Sequence, residues 1–188
     1  MATEHFALET QPDIQDPGLR VLYDYWLSLA QEASGLPSVQ GFDPLNLPRL
    51  LPNLWIVEVD AASGRFRMRL TGENINAIYG RSIAGLYFKD VFQPGDVEII
   101  VARYSRALSE PAIFHASGSV YAAGGNLTVG ERLGLPMLGR EGQTNILLGA
   151  TVYRRSLDKI AAVRLSDAQP HFHRIHAANH QAPEIAGG

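Results

Sequence analysis

The sequence of 188 residues predicts an α+β fold, one domain with extensions at both ends. Three observations carry this. Apolar residues recur every three or four positions along residues 17–34 and 96–109, the spacing of two long helices. Runs rich in apolar and β-branched side chains, bounded by turn residues, fill 54–70 and 112–154. The strand-like segments come in blocks, two before the second long helix and three after it, rather than in the strand–helix alternation that builds a parallel sheet.

Asp16 before Pro17 opens the first helix, because an aspartate caps free N–H groups and proline suits the first helical turn. Leu19, Leu22, Tyr23, Trp26, Leu29, Ala30 and Ala33 then form one apolar stripe, which Gly35 and Pro37 end. Pro37, Pro44, Pro48 and Pro52 leave residues 36–53 as a surface connector with at most a short helical turn at 45–51. Residues 54–59 and 65–70, joined by a polar turn at 61–64, read as a β-hairpin. In its second strand Phe66, Met68 and Leu70 face one way and Arg65, Arg67 and Arg69 the other. The arginine row is read as a solvated face that blocks edge pairing, with anion binding as the alternative.

Gly72 ends that strand, and Ile75, Ile78 and Tyr79 mark a very short helix stopped by Gly80. Residues 81–95 continue as short turns in which Leu86, Phe88, Val91 and Phe92 supply apolar contacts. Asp96 is expected to cap a longer helix that buries Val97, Ile100, Val101, Tyr104 and Leu108 and ends before Pro111. Strands at 112–122, 127–137 and 145–154 follow, separated by turns at Gly124-Gly125-Asn126 and at 139–143.

A formal net charge of -3 gives no general basic field to hold a phosphate backbone, so nucleic acid is not an expected partner. The absence of cysteine excludes disulfides, thiolate metal sites and cysteine nucleophiles. The first residues, MATEHFALETQPDIQDPG, lack the basic start and apolar core of a signal peptide, and no apolar run approaches the ~20 residues of a membrane span. A soluble cytoplasmic protein, in contact with neither membrane nor nucleic acid, is expected.

The stretch RLTGENINAIYGRSIAGLYFKDVF, taken with the order of elements, resembles a PAS domain. The shared features are the strand, glycine, short helix and second glycine, then an I-x-G step and an apolar Phe-x-x-x-Phe segment. The LYDYWLSLA helix, the FDPLNLPRLLPNLWIVEV connector and the RLGLPMLG run more closely resemble small stand-alone alphaproteobacterial PAS-domain proteins. The resemblance covers roughly residues 17–156. It implies a five-stranded antiparallel sheet with the short helices and the long helix over one face, enclosing a small cavity, plus an N-terminal amphipathic helix. Residues 1–16 are then a flexible N-terminus, 17–53 the helix and connector, 54–156 the core, and 157–188 a partly disordered C-terminal extension.

The function implied is a non-catalytic sensory or regulatory module that binds a small molecule and signals through an unidentified protein partner. Too few residues follow Arg155 to form an output domain. The alternative is a ligand-free dimeric adaptor, and a small cavity enzyme using Glu131 and Tyr79 as acid and base stands third. Flavin-photoreceptor PAS domains need a cysteine in the region corresponding to 73–80, which excludes cysteine-linked flavin chemistry here. Haem-binding members usually take a histidine from the long helix; residues 96–109 hold none, so haem is not expected and the cofactor stays open.

Tyr79, Phe88, Phe92, Tyr104 and Phe114 are the ligand-cavity candidates, with Phe66, Met68, Leu70 and Val120 as core around them. Glu131 joins them because it shares a strand face with Leu127, Val129, Leu133 and Leu135. If that face is inward, the carboxylate needs Arg, Tyr or ligand donors, since burying it unpaired costs several kcal/mol. His115 shares a face with Ile113, Ser117 and Tyr121, opposite Phe114, Ala116 and Val120, and is read as a structural hydrogen-bonder.

His171, His173, His176 and His180 crowd the C-terminus. In a helix His176 and His180 could share a metal with His173, but without carboxylate or cysteine a flexible tail is preferred and no metal site is assigned. Finally, the stripe on the first helix is more apolar than a peripheral helix can leave in water. It predicts a homodimer through Leu22, Tyr23, Trp26 and Leu29, with intramolecular packing as the alternative.

Overall fold

A computed structural model of the chain describes residues 6–123, 126–155 and 169–186. Seven strands form one sheet: β1 (Ala7–Leu8), β2 (Leu54–Val59), β3 (Phe66–Thr71), β4 (Ala112–Ala123), β5 (Asn126–Met137), β6 (Ile146–Arg155) and β7 (His171–His176). Their order is β1-β7-β4-β5-β6-β2-β3, with every pair antiparallel. Among the described residues four helices accompany them, α1 (Pro17–Ala33), α2 (Glu73–Tyr79), α3 (Phe88–Val91) and α4 (Pro94–Ser109).

The sheet is covered on both faces, and strand alternation divides the core in two. Leu54 and Ile56 of β2, Leu133, Leu135 and Met137 of β5, and Ile146, Leu148 and Ala150 of β6 point to the α1 side. Trp55, Val57, Phe66, Met68, Phe114, Ala116 and Leu147 point to the other, where they meet Ile75, Phe88, Ile100, Tyr104 and Leu108 from α2–α4.

The first helix starts as its sequence dictates: the Asp16 carboxylate accepts from the Gly18 and Leu19 N–H groups, and Pro17 occupies the first turn. Its stripe is spent inside the chain. Leu22 and Trp26 are wholly buried, Tyr23 nearly so, Leu29 is half-buried, and Trp26 Nε1 donates to the Pro136 carbonyl at 3.2 Å. An interface through Leu22, Tyr23 and Trp26 is therefore not open to a second subunit, and the alternative of intramolecular packing is the one formed.

Four further expectations change. The connector holds three 3-10 turns, at Val39–Gly41, Pro44–Asn46 and Leu51–Asn53, and it buries Leu36, Leu47 and Leu50 instead of lying wholly on the surface. α4 begins at Pro94 with Gln93 as its cap residue, so Asp96 sits in the first turn, where its charge favours the helix N-terminus, and makes no cap. Leu70 faces outward at 37% exposure, because a bulge opposite the Ile56–Val57 step leaves Arg69 unpaired in the ladder and reverses the phase of the strand beyond it.

The fourth change is the strand count. β1 and β7 extend the expected five strands to seven, drawn from segments expected to be flexible. In HFHRIH, Phe172 packs edge-on to Phe114 at 5.7 Å under the Arg106 guanidinium, while Ile175 is buried on the α1 side. Apolar residues of opposite parity suit a strand between two covered faces, not a helix or a loose tail. Beyond β7, Asn179 brackets the Leu36 backbone through both amide atoms, and the His180 ring reaches Thr144 Oγ1 and the Ser109 carbonyl. The turn at Gly124-Gly125, the core boundary at 156–157 and the last two glycines lie outside the described residues.

Candidate functional site

The switch from β3 into α2 positions the site. Gly72 passes so close to the Leu51 and Pro52 carbonyls that a Cβ there would collide with them. Its N–H donates to the Leu54 carbonyl at 2.7 Å, and the chain turns at once into α2. Asn76 holds the turn from within, accepting from Thr71 Oγ1 at 2.8 Å and from the Ile83 N–H at 3.1 Å. Gly80, at φ 64, closes α2 in the left-handed conformation that favours glycine.

The short helices thereby lie over the sheet and enclose a cavity of about 20 Å³, room for about one water molecule. Its wall is an aromatic stack: Trp55 lies parallel to Tyr104 at 5.5 Å, Phe66 to Phe88 at 5.3 Å, and Phe92 meets Phe88 edge-on at 5.2 Å. Gly134 and Gly149, paired across β5 and β6, form the floor under Trp55, and a Cβ on Gly149 would strike the indole.

Tyr79, Phe88, Phe92 and Tyr104 line this cavity as expected from sequence. Phe114 stands behind Tyr104, ring to ring at 5.6 Å, and does not reach the opening. Glu131 is on the other side of the sheet, and its neighbour Arg132 takes the cavity position. Two observations fix the Arg132 guanidinium: Nε donates to Thr151 Oγ1 at 3.1 Å and Nη2 to the Val120 carbonyl at 2.6 Å. Thr151 Oγ1 also accepts from Trp55 Nε1 at 3.0 Å, so the cation, hydroxyl and indole form one buried polar end in an otherwise apolar pocket. Nearby, burial and the Arg132 charge lower the Arg103 pKa, partly offset by Tyr104. Arg132 escaped the sequence reading because its own strand face was treated as the outer one; the signal was Thr151 and Trp55 at the inward phase of their strands.

Glu131 is nearly buried at the start of α1. Its two oxygens accept from the Gln15 N–H at 3.0 Å and the Asp16 N–H at 2.7 Å, and His115 Nε2 lies 2.7 Å from Oε1. It fastens the lead into α1 to β4 and β5, and the structural reading of His115 is the one formed. His173 stands beside this pair, 6.5 Å from the His115 ring; Thr10 Oγ1 meets its Nδ1 at 2.8 Å, and its buried Nε2 has no partner among the described residues. Among the described residues no three His, Cys, Asp or Glu side chains converge to hold a metal ion.

Burial lowers the His173 pKa, and the neighbouring His115 and His171 lower it further. A folded pKa below the unfolded one means that the unfolded chain binds more protons in the interval between them. The contribution of His173 to stability is full above about pH 6.5 and is lost as pH falls through that interval. Urea midpoints should therefore drop between about pH 7.5 and about pH 5.5, and His173→Gln should flatten the drop; an unchanged slope in that variant assigns the dependence to other groups.

Compared with known families, the PAS domain model matches residues 14–152, most of the chain. The chain belongs to the PAS domain family. No curated protein and no solved structure matches it significantly. PAS domains are generally sensory and regulatory modules rather than catalysts, and the match takes in α1 and the connector as well as α2–α4 and the strands from β2 into β6. β1 and β7 both lie outside the matched residues. Among the described residues no helix is long and apolar enough to cross a membrane.

Proposed function

We propose that this PAS domain is a non-catalytic sensor whose ligand enters between the sheet and α2–α3, and that the ligand is a small, mainly apolar molecule with one carboxylate. The observation that carries this reading is Arg132, a buried guanidinium at the polar end of an aromatic pocket. Arginine presents a planar fork of donors that matches a carboxylate, and the low-polarity wall would strengthen that contact. The cavity of about 20 Å³ requires α2 and α3 to move outward on binding. That movement is the signal delivered to a protein partner. No flavin or haem is part of this reading. Any homodimer uses a surface other than the buried face of α1.

A second reading, the ligand-free adaptor, is favoured by the same small volume. Thermal unfolding and native mass spectrometry with benzoate, phenylacetate and octanoate separate the two. The sensor reading expects a bound mass and a raised melting temperature for at least one of them, with loss of both in Arg132→Met. A chain that carries no ligand and shifts with none of the three is an adaptor with a filled core.

A further inference from the structure

A second recess lies at the β2–β3 corner, on the sheet face opposite the aromatic pocket. It is a groove of about 350 Å³ walled by Glu58, Arg67, Arg69, Arg140, Gln143 and Asn145. Cross-strand register builds it: Glu58 stands opposite Arg67, and the bulge that removes Arg69 from the ladder lets both arginines reach one carboxylate. Arg67 Nη2 lies 2.9 Å from Glu58 Oε2, and Arg69 Nη1 lies 3.6 Å from Oε1. The loop from Gly139 to Gln143 then brings Arg140 to the opposite wall.

The groove is not electrically satisfied. Each guanidinium carries five N–H donors, so one shared carboxylate orients the two forks and leaves donors over. Among the described residues Arg67 Nε is buried without a hydrogen-bond partner and Arg140 forms no ion pair. Three guanidinium charges against Glu58 and Glu141 leave the walls at +1, in a chain whose formal charge is -3. A solvated arginine row needs neither a shared carboxylate to hold its forks nor a third arginine brought from another loop.

We propose that this groove docks an acidic segment of a partner protein, with Asp or Glu side chains forked onto Arg69 and Arg140. A carboxylate suits the pre-oriented guanidinium planes, and a short segment needs only the local positive field. A long phosphate backbone would extend beyond this local field, along a chain whose formal charge is -3. The proposal is independent of the ligand pocket, which opens on the other face.

Fluorescence anisotropy with a labelled hexaglutamate peptide tests it, at about 50 mM and about 200 mM salt. Wild type and Arg49→Glu, an exposed arginine outside the groove, should bind alike. Arg140→Glu, which breaks no hydrogen bond or ion pair among the described residues, should weaken binding by about tenfold or more, and Arg69→Glu likewise, each with an unchanged circular dichroism spectrum. No binding by wild type at the lower salt overturns the proposal. So does an equal loss in Arg49→Glu, which would make the attraction general. An oligothymidylate that binds as tightly and is lost in the same two variants would assign the groove to phosphate instead.

Discussion

Trp26→Ala should lower the unfolding free energy by about 3–5 kcal/mol, read as a fall in the urea midpoint at unchanged slope. The indole is wholly buried between α1 and the sheet, meets Phe6 edge-on at 5.9 Å, and donates its N–H to the Pro136 carbonyl. Truncation removes the apolar transfer term, opens a cavity and strands a carbonyl. Because domains are stable by only about 5–15 kcal/mol, this single change consumes a large part of the margin. The paired substitution Leu22→Asp with Trp26→Asp should give an unfolded chain, since two carboxylates would enter a closed core. A folded double variant, at any oligomeric state, would show that α1 does not pack on this sheet.

Glu131→Ala should cost about 2–5 kcal/mol, and the loss should be local before it is global. Removing the carboxylate leaves the Gln15 and Asp16 N–H groups, in part-buried bonds, and the buried His115 Nε2 without their acceptor. Hydrogen exchange should show the amides of 14–20 losing protection while those of β5 and β6 keep most of theirs. Glu131→Gln retains one acceptor oxygen and should cost less. Uniform loss of protection along the whole chain would mean that Glu131 supports the sheet itself rather than the entry of α1.

What could be read from the chain without coordinates was local. The cap at Asp16, the stripe of α1, the hairpin turn, the glycines that bound α2 and the alternation of Phe114, Ala116 and Val120 all follow from rules that span a few residues. Four of the six cavity candidates line the pocket and a fifth, Phe114, lies one ring behind it, because the aromatic residues of α2, α3 and α4 had only one sheet face to cover. Such features depend on φ/ψ preference and periodicity, which are written in neighbouring letters.

Long-range pairing decided the rest. Alternation groups Glu131 with Leu133 and Leu135 but cannot say which side of the sheet they face when both sides are covered; α1 took that side, and Arg132 fell to the pocket. The bulge at Arg69 exists only opposite the Ile56–Val57 step, so Leu70 turns outward for a reason that lies in another strand. β1 and β7 form because each supplies backbone partners that the other and β4 leave open, across 163 residues at the Thr10–His173 contact. A strand's hydrogen bonds are satisfied by a neighbour rather than by itself, and that is why HFHRIH reads as a tail in sequence and becomes part of a sheet in space.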